Sequence, residues 1–354
     1  MKDYPAPAPA HLTALSLAVP SCRLSQSEAL AFLLANYGEE LGTKSKSFLK
    51  RIFANPSIRE RYFAIASPAA LLEEGPDQRM ERFTAAATEL AATAARRSME
   101  QAGLDSEDLV GLMVNTCTGY LCPGLSSYLI EELGLPSRVA AYDLVGSGCG
   151  GAIPNLQLAQ ALVKEGGPVL SVAVEICSAT FQMKDDLSLL LSNALFGDGA
   201  AAVILQRNPG DWQLIASASR HLPRLREAIR YVYRDGELHN QLSTNLPELI
   251  GEVVPSFVAD FLGEQCLEPA AIEHWAIHTG GERIINILQN SLGLSEAQLA
   301  PSRKILSRFG NISSPTVLFV LHEISTGAIA RGERCLLLAF GAGLSVHVGL
   351  LQKC

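Results

Sequence analysis

Three residues of this 354-residue chain have the types and local settings that thioester chemistry needs: Cys149, His278 and Asn311. Cys149 sits in VGSGCGG at 145–151, between a predicted strand and a predicted helix. Glycines on both sides permit a sharp strand-to-helix turn and close approach of a substrate. At a helix N-terminus, the dipole and unpaired amides favour the thiolate and predict a cysteine pKa below its usual value of about 8.5. This is a nucleophile elbow with sulfur in place of hydroxyl; a small buried cysteine in a tight turn explains the same local pattern. His278 ends the apolar run WAI and leads into a Gly-Gly pair, the strand-end setting in which active sites collect, although a hydrogen-bonded core histidine is the alternative. Asn311, in RFGNISS at 308–314, precedes a predicted helix. Its side chain can cap that helix with Ser313 and Ser314, or donate to a developing oxyanion. In combination, the thiolate would attack an acyl carbonyl and hold the acyl group, while His278 and Asn311 donate to the oxygen on which charge develops.

Bringing three distant side chains together requires a scaffold of alternating elements. The pattern predicts a helical region over 24–66, an amphipathic helix over 80–102 stopped by Gly103, a strand over 109–115, a helix near 124–133 and a strand over 140–145. A helix over 152–164, the doubly buried strand PVLSVAVE at 168–175 and a strand over 200–206 follow. NPGD at 208–211 is the best internal boundary. Beyond it lie strands at 212–218, 274–278, 334–340 and 344–351, and helices at 246–264, 281–292 and 314–329. Such alternation implies an α/β fold whose central sheet is covered by helices. The expected organisation is a flexible tail (1–11), a half carrying Cys149 (12–210) and a half carrying His278 and Asn311 (211–354).

Composition bounds the partners. With 28 basic and 36 acidic side chains the formal charge is −8, and 48% of residues are hydrophobic against 18% charged. A chain this apolar can order itself, which excludes intrinsic disorder and a coiled coil. The acidic balance argues against a nucleic-acid partner but permits a local basic patch for a phosphorylated small molecule. A signal peptide is not visible and no run approaches the roughly 18 apolar residues of a membrane helix, so a soluble cytoplasmic protein without a membrane span is expected. Eight cysteines without CxxC spacing predict no metal site and mostly buried free thiols, Cys149 excepted.

The segments AYDLVGSGCGG, LFGDGAAAVIL (195–205), WAIHTGG, RFGNISSPTVLFVL (308–321) and AFGAGLSVHV (339–348) together resemble the type III polyketide synthases, the chalcone-synthase-like family of the thiolase superfamily, over roughly residues 12–352. The resemblance implies a thiolase-like α-β-α-β-α layered fold of two similar halves, assembled as a homodimer. It implies acylation of Cys149 by an acyl-CoA and decarboxylation of malonyl-CoA beside His278 and Asn311, with no cofactor. Phe196 matches a gatekeeper that shields the reacting thioester. Cys117, Thr118, Cys177, Thr180 and Ser313 would line the cavity, Cys122 would approach the dimer partner, and His239 and Asn240 fall where a second gatekeeper phenylalanine is usual. Lys46, Lys50 and Arg51, with Lys44, lie where the family binds CoA phosphates, and Asn55 replaces a further lysine; a solvated helix face explains such a run equally. GFGPG appears as AFGAG, without its proline. The implied product is of pyrone or resorcinol type. A stand-alone ketosynthase acting on chains bound to an acyl carrier protein, and a catalytically silent scaffold, are the alternatives.

Overall fold

The computed structural model describes residues 9–163, 166–234 and 237–354. Residues 1–8 of the expected tail lie outside the described residues, as do Lys164, predicted to end a helix, and Asp235 and Gly236. The strand that begins the fold starts at Ala10, so residues 10 and 11 belong to the core and not to the tail.

In chain order the first part comprises β1 (Ala10–Ala18), β2 (Cys22–Ser25), α1 (Gln26–Tyr37), α2 (Thr43–Phe53), β3 (Glu60–Phe63), α3 (Pro76–Ala102), β4 (Gly111–Asn115), α4 (Leu125–Leu133), β5 (Ala140–Leu144), α5 (Ala152–Val163), β6 (Val169–Glu175), α6 (Leu187–Leu195) and β7 (Gly199–Gln206). Then follow β8 (Trp212–His221), β9 (Ile229–Arg234), β10 (Glu237–Leu242), α7 (Leu246–Glu264), β11 (His274–Ile277), α8 (Glu282–Leu292), α9 (Glu296–Phe309), α10 (Thr316–Ser325), β12 (Arg334–Gly341) and β13 (Ser345–Lys353).

The helical region expected over 24–66 is instead two helices flanked by a small antiparallel pair, β2 with β3. Ser25 starts α1 with a reciprocal capping box, its hydroxyl accepting from the Glu28 amide and its own amide donating to the Glu28 carboxylate. The helix α9 and the hairpin β9–β10 were not legible: Pro301 lies inside α9, and the hairpin's residues are too polar to show a buried face.

Nine strands form one sheet in the order β11-β12-β13-β8-β1-β7-β6-β4-β5, so strands from either side of the 208–211 boundary meet at the antiparallel β1–β8 pair. Side chains alternate across it. In β12, Leu337 and Ala339 face a core shared with α5 and α10, while Leu336, Leu338 and Phe340 face a second core built with α7 and α8. Likewise Ala201 and Val203 of β7 face α5, and Ala200, Ala202 and Ile204 pack against α3. The curved sheet thus encloses α5 and α10, giving five layers: α3, sheet, α5 with α10, sheet, α7 with α8. Cys149 heads α5 and Asn311 precedes α10, so the two buried central helices deliver both residues to one region.

Candidate active site

The Cys149 turn is pressed against the far side of the sheet. Gly146 and Gly148 adopt φ of +86° and +57°, the left-handed region that favours glycine. A side chain at 148 would come within 2.9 Å of the Ala342 backbone, and one at 150 within 2.4 Å of the His347 ring. Cys149 lies in the tight turn Gly148–Gly150 immediately ahead of α5. Its sulfur accepts a hydrogen bond from the Ser313 hydroxyl at 3.2 Å.

Ser313 belongs to a network centred on Glu175, the last residue of β6, which is fully buried. One carboxylate oxygen accepts from Ser314 at 2.5 Å, and the other from the Cys117 amide at 3.0 Å and the Thr118 hydroxyl at 2.9 Å. Asn115 donates to Ser314 at 2.8 Å, and the Cys117 thiol shares a 3.4 Å contact with Ser313. Burial pushes the Glu175 carboxyl up, against these donors, which favour its charged form.

The low cysteine pKa expected at the helix N-terminus is not found. Burial pushes the Cys149 thiol up to about 12; the Ser313 hydroxyl opposes this and the Glu175 carboxylate adds to it. The residue keeps partial exposure, but among the described residues no cation lowers its pKa. No hydrogen bond joins Cys149 to His278, so they do not form a resting thiolate–imidazolium pair.

His278 follows β11, its amide bonded to the Leu338 carbonyl at 2.8 Å and its ring edge-on to Phe340 at 5.9 Å. The next residue of β12, Gly341, packs against the Ser147 carbonyl and the Gly150 amide of the cysteine turn. Burial pushes His278 down to about 3, so the imidazole is neutral, and Nδ1 has no hydrogen-bond partner. A neutral ring has one N–H to offer.

Asn311 does not cap α10, which starts only at Thr316 with no side-chain cap. Its Oδ1 accepts from the Ser313 amide at 2.8 Å, closing a local turn, and Nδ2 has no partner among the described residues. The α10 cap expected as one alternative is therefore absent, and the Asn311 amide hydrogens are left unspent. Phe196, 9% exposed at the end of α6, is bridged in parallel to Asn311: the Asn311 amide donates to the Leu195 carbonyl at 2.8 Å and the Gly197 amide to the Asn311 carbonyl at 3.0 Å.

Two cavities adjoin this cluster. The larger, about 730 Å³ and open to the surface, is lined by Thr116, Cys117, Thr118, Gly148, Thr180 and Tyr231 among others. The smaller, about 50 Å³, is lined by Arg61, Cys177, Thr180, Phe196 and Asn240. The larger space therefore lies on the Cys117 side and the smaller one beside Phe196. His239 is buried in β10 and lines neither cavity. Lys44, Lys50 and Arg51 are exposed on α2 and Lys46 half-buried; none has a carboxylate partner among the described residues. Asn55 is held by Glu282 at 2.9 Å. Cys122 is exposed in the loop before α4.

Cysteine burial departs from expectation, since only Cys177 and Cys335 are buried and Cys122, Cys266 and Cys354 are exposed in a loop, a turn and the terminus. Sequence reasoning missed Glu175, Arg61 and Tyr231. The available signal for Glu175 was a lone carboxylate closing an otherwise apolar strand.

Models of the chalcone and stilbene synthase N-terminal and C-terminal domains match residues 2–209 and 213–354. The chain is 28% identical to 3,5-dihydroxyphenylacetyl-CoA synthase of Streptomyces toyocaensis, over 99% of this chain and 92% of that protein. It is 30% identical to phloroglucinol synthase of Pseudomonas fluorescens, over 85% and 88% respectively. The crystal structure of PKS-I from the brown alga Ectocarpus siliculosus superposes with a TM-score of 0.90 at 28% identity, covering 100% of both chains. The chain belongs to the type III polyketide synthase family, with its thiolase-like fold, and is a condensing acyltransferase. Among the described residues no helix is long and apolar enough to cross a membrane.

Proposed function

We propose that the chain loads an acyl group from acyl-CoA onto Cys149 and extends it with malonyl-CoA to a pyrone or resorcinol-type polyketide, acting as a cytoplasmic homodimer. In loading, the Cys149 sulfur attacks the thioester carbonyl, its proton leaves with the CoA thiolate, and CoA departs as the free thiol. The C–C bond to the malonyl carboxylate then breaks, CO₂ leaves, and the electron pair moves onto the thioester oxygen. His278 N–H and Asn311 Nδ2–H donate to that oxygen, which needs aimed donors rather than a strong base. The enolate carbon attacks the acyl-Cys149 carbonyl, the C–S bond breaks, and the Cys149 thiolate is regenerated. Phe196 excludes water from the reacting thioester. Lys44, Lys46, Lys50 and Arg51 hold the CoA phosphates.

The observation that carries this reading is the unspent donor of Asn311, whose oxygen is committed to Ser313 while its amide nitrogen is free. Cys149→Ala should gain no acyl mass on incubation with acyl-CoA, as read by mass spectrometry of the intact protein. His278→Ala and Asn311→Ala should acylate yet release CO₂ from malonyl-CoA on the order of a hundredfold more slowly. Acylation of Cys149→Ala at the wild-type level, or undiminished CO₂ release from the other two, would contradict the assignment.

A further inference from the structure

Arg61 is 1% exposed at the centre of β3, yet among the described residues no carboxylate lies within ion-pair distance of its guanidinium. Nε donates to the Gln26 side chain at 3.0 Å, and one terminal nitrogen donates to the carbonyls of Asn193 at 2.8 Å and Phe196 at 2.6 Å. Gln26 in turn donates to the Ala194 carbonyl at 3.0 Å. The guanidinium sits over the rings of Phe63 at 5.0 Å and Phe53 at 5.6 Å. Its charge is thus met by the negative end of α6 and by two aromatic faces. Burial lowers the guanidinium to about 9, with Asp198 and Cys177 opposing, and it remains charged at neutral pH.

This is an unusual way to end a helix here. Helices α3, α4 and α8 finish with a left-handed glycine, Gly103, Gly134 and Gly293, which lets the chain satisfy its own carbonyls. Helix α6 instead passes into Phe196 in extended conformation, φ −80° and ψ 147°, and takes external donors. The stem of the same arginine is the surface on which the Asn311 segment rests. Gly310 has φ +69°, and a side chain there would meet the Leu195 carbonyl at 2.5 Å and the Arg61 stem at 2.8 Å. Polar head and apolar stem therefore touch both halves of the Phe196–Asn311 bridge.

We infer that Arg61 is a positioning residue that fixes the register between the Phe196 gatekeeper and the Asn311 donor, and so keeps decarboxylation coupled to condensation. The inference rests on the proposed function. With Arg61 in place, the Phe196 carbonyl is anchored, the ring covers the acyl thioester, and the amide of Asn311 meets the malonyl oxygen while water is excluded. Without it, the α6 end and the Asn311 segment shift apart, and enolate and acyl group are quenched by water before they meet.

The test compares wild type, Arg61→Lys, Arg61→Met and Gln26→Met with acyl-CoA and malonyl-CoA. Acyl mass on Cys149, CO₂ released and condensed product are measured together. Both Arg61 variants are expected to acylate at close to the wild-type rate and to raise the ratio of CO₂ to condensed product on the order of tenfold. Arg61→Ala, compared as a fourth variant, should likewise raise the ratio at near wild-type acylation and recover part of the coupling on addition of guanidinium ion, which refills the place of the lost side chain. Variants that fold and keep the wild-type ratio overturn the inference. If the Arg61 variants do not fold, Gln26→Met, which keeps the arginine but removes its Nε acceptor, must still raise the ratio, and an unchanged ratio overturns the inference. Failure of the wild type to acylate Cys149 or to release CO₂ would instead overturn the functional reading.

Discussion

At Cys149, burial and the nearby Glu175 carboxylate outweigh the field of α5 and the Ser313 hydrogen bond. A half-turn beyond a helix N-terminus favours an anion by roughly 0.3–1 kcal/mol in ordinary settings, whereas burial against a carboxylate pushes this thiol up to about 12. The sulfur is accordingly protonated in the free chain and must lose its proton as substrate arrives. Alkylation of Cys149 by iodoacetamide, followed at the peptide level, should be slow at pH 7 and rise about tenfold per pH unit through pH 10; a plateau below pH 8 would contradict a raised pKa. His278 and Asn311 complete the picture from opposite directions. Their residue types and neighbours named them in the sequence, but only the structure shows that the Asn311 oxygen is turned to the Ser313 amide and that α10 begins without a side-chain cap. Glu175 went unseen because its meaning lies in partners 57 to 139 positions away.

Between elements, the nucleophile turn depends on β13. Gly150 packs on the His347 ring, which is held by Ser219 at 2.7 Å and Ser345 at 2.9 Å. Burial, with help from His221, lowers His347 to about 4. Because the unfolded chain binds this proton from about pH 6.5 downward and the folded one does not, the stabilisation is complete above pH 6.5 and is lost as pH falls toward 4. Thermal melts of wild type should show stability falling by up to about 1.4 kcal/mol per pH unit from this residue across that window. His347→Gln should flatten the slope, leaving the part due to His278, His11 and His322, which shift in the same direction; an unaltered slope would show that the ring is not held neutral. Helix and strand assignments read well where periodicity was strong, as in α3, α7 and β6. They failed over residues 24–66, where composition suited a helix but Ser25 and the β2–β3 pairing imposed separate elements.

For the whole molecule, the nine-stranded sheet ends at β5, an edge whose residue Tyr142 is 53% exposed and whose neighbour Val145 is 57% exposed. An open edge with apolar neighbours is a pairing surface. Val145 and Tyr120 also wall the large cavity, so a second copy seated there would close it. Light scattering of the purified protein should therefore give a dimer, with Val145→Glu shifting it toward monomer; a monomeric wild type would refute the assembly. The sequence by itself determined the alternating α/β order, the glycine-framed cysteine, and the strand-end histidine, because backbone freedom, periodicity and residue chemistry are local properties. Tertiary structure alone decided the protonation state of Cys149, the freedom of the Asn311 amide, the Glu175 network and the Arg61 anchor, because burial and hydrogen-bond partners are set by residues that meet only when the sheet closes around α5 and α10.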